Sequence, residues 1–170
     1  MQRFKQGVRA LFAFTTSVDF ELAERYLSPQ QMTLFRQMAK PEQLHSLNVL
    51  RDVLAQATTT PHDLAVAALL HDVGKSRYHL AVWQKTLSVF ISKLLPPLDN
   101  RLSIEATLTF WRAPFIVRRH HPQWGGDLLS AYAPDCVIWL VSHHADSADD
   151  WQHHAYYDLL VRLQIADDAN

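Results

Sequence analysis

A histidine and an aspartate, His71-Asp72, follow the apolar segment at residues 64–70, and Gly74 and Lys75 come shortly after them. Imidazole and carboxylate groups are common ligands of divalent metal ions. Adjacent side chains on a helix diverge by about 100°, so both reach one ion only where the helix ends. Gly74 predicts that end, because glycine adopts the left-handed cap conformation without a Cβ penalty. Taken alone, the segment also fits a capped helix with polar residues at its exposed end.

Four further places carry the same ligand types inside or at the ends of apolar helical segments. They are His45, His121, the pair His143-His144, and Asp167. A polar side chain in such a setting costs free energy unless it has a partner. Each alone would more often be a core histidine or a helix cap, but one shared metal site satisfies all of them. The pattern therefore predicts metal coordination by side chains from five helical segments.

Periodicity and turn residues predict the elements that hold these side chains. The 170-residue chain has four glycines and no strictly alternating apolar stretch, which favours an all-α protein of one domain. Ser28-Pro29 predicts a helix start, because serine caps and proline suits the first helical position. His121-Pro122 predicts a turn or a helix start that leads through Gly125-Gly126 into residues 127–132. The last helix is expected at residues 151–166.

The ordered set of histidines and aspartates resembles the HD-domain superfamily of metal-dependent phosphohydrolases. His45 matches the family's first histidine, His71-Asp72 matches the doublet that gives the family its name, and Asp167 matches the closing aspartate. The Val-Gly-Lys sequence after the doublet is also typical of the family. The likeness covers residues 40–168, which is most of the chain.

The resemblance implies a fold and a substrate class. It implies a single-domain helical bundle of the HD-domain type at residues 40–170, with residues 1–39 as a helical extension packed on it. The implied substrate is a small phosphorylated compound, a nucleotide or a related phosphate ester or anhydride. Hydrolysis of cyclic dinucleotides is disfavoured, because the Gly-Tyr-Pro sequence of those enzymes is absent after His121. Pro41 stands where members with three metals have glutamate, so three ions are not expected.

The histidines beyond the minimal pattern are similar to the ligands of the superfamily's binuclear branch. The resemblance implies two divalent ions per chain, with iron or manganese favoured over other metals. One ion would be held by His45, His71 and Asp167, and the other by His121, His143 and His144.

Asp72 and Lys75 are the expected catalytic residues. Asp72 would bridge the ions, since a carboxylate has two oxygens and a neutral imidazole cannot bridge. A water activated by both ions would attack the phosphorus in line, while Lys75 neutralises charge on the phosphate oxygens. Arg77, Arg118 and Arg119 are further candidates for holding phosphate, because guanidinium binds it bidentately. For each arginine, a solvated surface position is the competing interpretation.

Three alternatives stay open at the level of sequence. His120 adjoins His121 and could be the ligand in its place, although the family's histidine precedes a proline, as His121 does. The chain could be a catalytically silent regulatory or nucleotide-binding module with the same helical fold. It could also be a metal-stabilised structural or membrane-surface adaptor, which would close each metal with four protein ligands.

Composition limits partners and location. The net charge of −1 and the lack of basic tracts argue against a basic surface that binds duplex nucleic acid. Cys136 is the single cysteine, so no internal disulfide forms. No apolar run approaches the length of a transmembrane helix, and a cytoplasmic protein is expected. An apolar stripe running from Leu80 to Leu95 predicts a core helix, with a homodimer interface or a membrane-surface contact as alternatives.

Overall fold

The computed structural model describes residues 17–78, 80, 84, 91, 94–104 and 109–170. Most of the apolar stripe between Leu80 and Leu95 therefore lies outside the described residues, as does the start of the predicted N-terminal extension. The boundary of that extension at residue 39 stays a prediction.

The described residues form helices and no strands, so the all-α prediction is confirmed. Two 3₁₀ helices, Val73–Arg77 and Ala148–Trp151, join the longer ones. The α-helices are α1 (Phe20–Glu24), α2 (Pro29–Gln37), α3 (Lys40–Ala55), α4 (His62–Leu70), α5 (Pro96–Leu102), α6 (Ala113–Leu129), α7 (Asp135–His143) and α8 (Tyr157–Asp168).

The predicted start of α2 is confirmed in atomic detail. The Ser28 hydroxyl accepts a hydrogen bond from the Gln31 N–H at 3.3 Å, and the Gln31 side chain accepts one from the Ser28 N–H at 2.9 Å. Pro29 occupies the first helical position. This reciprocal capping satisfies two of the backbone donors that a helix start leaves without intrahelical partners.

Helix α4 is the centre of the bundle. Its residues from Leu64 to Leu70 are all buried, and α3, α7 and α8 pack around it. Burying each such leucine contributes about 1.5–3 kcal/mol relative to exposure. Because α4 ends inside the protein, the two residues that follow it, His71 and Asp72, are also buried. The apolar sequence of α4 thus carries the predicted ligand pair into the interior.

Gly74 has a role that differs from the predicted one. Neither Gly74 nor any other described residue adopts a positive φ, so the left-handed cap is absent from this part of the chain. A Cβ on Gly74 would instead overlap the carbonyl oxygen of His121 and lie 2.7 Å from the Gly125 nitrogen. The glycine is required by the close approach of α6 to the 3₁₀ helix that follows α4.

The turn or helix start predicted at His121-Pro122 is wrong, because α6 runs without a break through His121-Pro122 and on through Gly125-Gly126. Glycine inside a helix costs about 1 kcal/mol relative to alanine. Here it permits close packing on α7: a Cβ on Gly125 would lie 2.7 Å from Val141 Cγ1, and one on Gly126 would overlap the Ser142 hydroxyl. The last helix also differs from expectation, since α8 begins at Tyr157 after a 3₁₀ helix.

Replacing Gly74 with alanine is expected to lower the free energy of unfolding by about 2 kcal/mol or more, since the added methyl group meets backbone atoms that cannot move aside cheaply. Urea denaturation followed by circular dichroism measures this loss. Ser147→Ala is the matched control, because Ser147 is exposed and its side chain caps no helix. A Gly74→Ala variant as stable as the parent would contradict the close approach of α6.

The described helices contain none with the length and apolar character that crossing a bilayer requires. Cys136 is buried on α7, and burial, with Asp63 nearby, raises the pKa of its thiol to about 11. The thiol is therefore protonated at neutral pH and is not an activated nucleophile.

Candidate metal centre

Six of the seven predicted metal ligands meet in two neighbouring groups of three. Within each group, one ligand atom from each residue lies within 4.8 Å of the others. We call the first group, His45, His71 and Asp167, the His45 set. We call the second group, Asp72, His121 and His144, the His121 set.

The His45 set brings together α3, the end of α4 and α8. His45 Nε2 lies 2.7 Å from Asp167 Oδ1, and His71 Nε2 lies 3.5 Å from the same oxygen. His71 is fully buried, while His45 and Asp167 are partly exposed. One carboxylate oxygen thus faces two imidazole nitrogens at the edge of the protein surface.

The His121 set brings together the residue after α4, the middle of α6 and the end of α7. Asp72 Oδ1 lies 3.3 Å from His121 Nε2 and 3.9 Å from His144 Nε2. The two imidazole nitrogens are 3.2 Å apart. All three residues are buried.

Asp72 connects the two sets. Its Oδ1 faces the His121 set, and its Oδ2 lies 3.6 Å from His71 Nε2 in the His45 set. A carboxylate between two groups of ligands, with one oxygen toward each, has the placement that a bridging ligand requires. Adjacent His71 and Asp72 can serve different sets because their side chains diverge where α4 ends.

Three histidines are oriented by hydrogen bonds to the backbone. A carbonyl oxygen can only accept, so the ring Nδ1 donates and the Nε2 of the neutral ring keeps its lone pair. Backbone bonds of this kind are common at metal-binding histidines, where they fix the ring. The pairs are His71 with Ala68 at 3.0 Å, His121 with Arg118 at 2.9 Å and His144 with Val141 at 2.8 Å.

The sequence provides these carbonyls in two ways. Ala68 and Val141 lie in the last turns of α4 and α7, where carbonyls have no intrahelical partner. In α6, Pro122 has no N–H and therefore cannot donate to Arg118, four residues earlier. That carbonyl accepts from His121 instead. The His-Pro pair thus frees the acceptor that orients the histidine.

Two features of the cluster favour a bound cation. Nε2 of His71 is buried without a well-formed hydrogen bond, although carboxylate oxygens lie 3.5 and 3.6 Å away. The Nε2 atoms of His121 and His144 face each other at 3.2 Å, and two lone pairs at this distance repel. A divalent ion in each set would give Nε2 of His71 a partner and would separate the two facing lone pairs by binding them. Nitrogen and oxygen donors suit such ions. The residues therefore fit a metal centre.

The charge states of the carboxylates suit the same role. Burial alone would raise the pKa of Asp72, but the Lys75 ammonium and His71 outweigh burial and hold that pKa well below its ordinary value. Burial alone would also raise the pKa of Asp167, but hydrogen bonds from His45 and His71 outweigh burial and lower that pKa. Both side chains are anionic at neutral pH.

The pKa values of two buried histidines, His144 and His71, are shifted in opposite directions. Burial, together with His71 and His121, lowers the pKa of His144 to about 3, so this ring is neutral at pH 7. Burial would lower the pKa of His71, but the carboxylates of Asp72 and Asp167 outweigh it and raise the pKa. A metal ion at Nε2 of His71 would displace the proton that these carboxylates attract.

Lys75 contacts the centre directly. Its ammonium lies 2.7 Å from both carboxylate oxygens of Asp72. Burial would lower the pKa of Lys75, but Asp72 outweighs it and raises that pKa, so the side chain stays charged. About a third of the side chain is exposed, which leaves it accessible from solvent.

His143, the seventh predicted ligand, belongs to neither set. Its Nδ1 donates to the carbonyl of Trp139 at 2.7 Å, and its ring stacks on the Trp139 indole with centroids 4.5 Å apart. Trp151 contacts the ring edge-on at 4.5 Å. The physical reason is the divergence of adjacent side chains at the end of α7, which turns His144 inward and His143 toward the tryptophans.

The alternative ligand His120 also lies apart from both sets. Its Nε2 is 3.1 Å from the Ser103 carbonyl, and its ring stacks on Trp124. Of the adjacent pair, the structure therefore brings His121 into the cluster.

The sequence interpretation missed the role of Trp139, although its position four residues before His143 places the two on one helix face.

Comparisons with protein-family models, with curated proteins and with solved structures gave no match. The case for a metal centre therefore depends on the residue types and positions of the two sets.

Proposed function

We propose that this protein is a metal-dependent phosphohydrolase of the HD-domain type that acts on a nucleotide or a related phosphate ester or anhydride. The observation that carries the proposal is the joining of the two ligand sets by Asp72 in one largely buried cluster. Two divalent ions a few ångströms apart are typical of enzymes that hydrolyse phosphate bonds. A cytoplasmic location stays a prediction from the sequence.

When bound, two divalent ions would supply Lewis acidity and an activated water. The chain's own residues would position the reaction. Asp72 fixes the separation of the two sets, and the backbone-bonded rings of His121 and His144 keep their Nε2 atoms aimed at it. Lys75 is placed to donate a hydrogen bond to a non-bridging phosphate oxygen as negative charge develops there. Iron or manganese is the favoured metal.

The composition of the sets favours catalysis over a structural role. A structural metal is usually closed by four protein ligands, whereas a catalytic one keeps a position open for water or substrate. Each set supplies three residues, and Asp72 can be shared between them. Three ligands in a set would leave a coordination position open for a water or a phosphate oxygen.

Metal content and hydrolysis, measured together, test the proposal. We expect about two ions per chain in protein purified without chelator and reloaded with iron or manganese. The loaded protein should hydrolyse p-nitrophenyl phosphate, bis(p-nitrophenyl) phosphate or a nucleoside polyphosphate. Two ions without hydrolysis of any of these compounds would favour the silent binding module. Failure to bind metal under any loading condition would contradict the centre itself.

Lys75→Ala should preserve the metal content and lower kcat by about 10–100-fold, because it removes a cation from the developing charge. Lys75→Arg keeps the charge and should recover part of the rate. The measurements are metal content by mass spectrometry and steady-state kinetics on the best substrate. An unchanged rate in Lys75→Ala would limit Lys75 to its ion pair with Asp72.

A further inference from the structure

Gln164 on α8 contacts the chain just after α7. Its amide Nε2 donates one hydrogen bond to the carbonyl of His144 at 3.0 Å and another to the carbonyl of Asp146 at 2.8 Å. The NH₂ group of a glutamine has two N–H donors, so these two bonds use both of them. One side chain thus connects α8 to a residue of the His121 set.

The two bonds act on backbone that has little support from the core. His144 caps the end of α7, where carbonyls have no intrahelical partner. Ala145, Asp146 and Ser147 are exposed, so apolar packing does not fix the chain that follows. The hydrogen bonds from Gln164 therefore restrain this turn.

The ring of His144 takes its position from this backbone. Its Nε2 lies 3.2 Å from His121 Nε2 and 3.9 Å from Asp72 Oδ1. The bond from its Nδ1 to the Val141 carbonyl restrains the ring relative to α7, whereas Gln164 restrains the residue's own carbonyl relative to α8. Ligand positions must hold to within about 0.5 Å for a site to work, so both restraints bear on metal binding.

The same helix carries a ligand of the other set. Asp167 lies three residues after Gln164, which places the two on one face of α8. Asp167 belongs to the His45 set, whereas His144 belongs to the His121 set. α8 therefore fixes one ligand through its own side chain and the other through a backbone carbonyl. This connection between the sets is separate from the shared carboxylate of Asp72.

We infer that Gln164 is a positioning residue of the metal centre, which ties the backbone of His144 to the helix that carries Asp167. The inference deepens the proposed function and rests on its two-ion centre. Loss of the two donors should release His144 and weaken the ion at the His121 set. The ion at the His45 set should keep its affinity, because Asp167 stays in place on α8.

Titration of the full metal-free chain with Mn²⁺, followed by electron paramagnetic resonance of the free ion, tests the inference without relying on turnover. Gln164→Met keeps the length of the side chain and removes both donors. We expect one of the two Kd values for Mn²⁺ to rise about tenfold, the low end for groups that orient metal ligands. The other Kd should stay within about twofold of the parent value. Gln164→Ala removes the same donors and decides the matter should Gln164→Met fail to fold.

Gln56→Met is the matched control. Gln56 Nε2 donates to the Arg162 carbonyl of α8 at 2.9 Å, so this variant also removes a glutamine bond to backbone that involves α8. It touches no carbonyl of a ligand, and both Kd values should stay at their parent values. An equal rise in Gln56→Met and Gln164→Met would trace the effect to a general loosening of α8 and overturn the inference.

A double-mutant cycle identifies the residue through which Gln164 acts. In a His144→Ala background, adding Gln164→Met should leave the Kd of the remaining ion within about twofold. A larger loss would mean that Gln164 acts through Asp167, which contradicts the inference. If the parent binds two ions and Gln164→Met binds both with parent affinity, the inference is wrong while the proposed function survives. A parent that binds neither Mn²⁺ nor Fe²⁺ would contradict both.

Discussion

Asp72→Ala should reduce the metal content from about two ions per chain to one or none and lower hydrolysis by at least about 100-fold. Asp72 places one oxygen toward the His121 set and the other toward His71. Its removal therefore takes a ligand from both sets at once, whereas loss of any single histidine takes a ligand from one. Mass spectrometry of the metal and steady-state kinetics measure the two effects.

Asp168→Ala is the matched control for this variant. Asp168 adjoins a predicted ligand in sequence, but it is exposed and belongs to neither set. Its replacement should leave metal content and rate unchanged. Because Asp72 is buried beside Lys75, circular dichroism must show that the Asp72→Ala variant keeps its helices. Two ions retained by a folded Asp72→Ala variant would refute the bridging role.

The helical class and most of the cluster could be predicted from sequence for one physical reason. Histidine and aspartate within apolar helical segments need partners, and the partners available to them were one another. His45, His71 and Asp167 illustrate this, because three distant segments meet where one carboxylate oxygen faces two rings. The order of residue types along the chain was therefore enough to predict that these three residues meet, without knowing how the helices pack.

The glycines show what the local sequence could not reveal. Gly74 and Gly125 occur where a cap or a turn is the usual local interpretation, yet both permit helices to pack closely. That role depends on which backbone atoms arrive from another helix, and those atoms are distant in sequence. Only the folded chain reveals that a methyl group at Gly74 would meet the carbonyl of His121.

The sequence also could not show that His143 and His144 have different surroundings. The resemblance assigned both residues to one ion, but their side chains leave the end of α7 in different directions. His144 points to Asp72 and His121, while His143 stacks on Trp139. Residue type alone cannot distinguish the two, because the choice depends on where the helix ends relative to the cluster.

We therefore expect the two single variants of this pair to differ. His144→Ala should lower the metal content from about two ions to about one, because the His121 set would keep only two ligands. His143→Ala should keep about two ions, since its ring packs on Trp139 and belongs to neither set. Each variant is the control for the other, as they remove the same side chain from neighbouring positions. Equal loss of metal in both would make His143 a ligand, as the sequence pattern predicts.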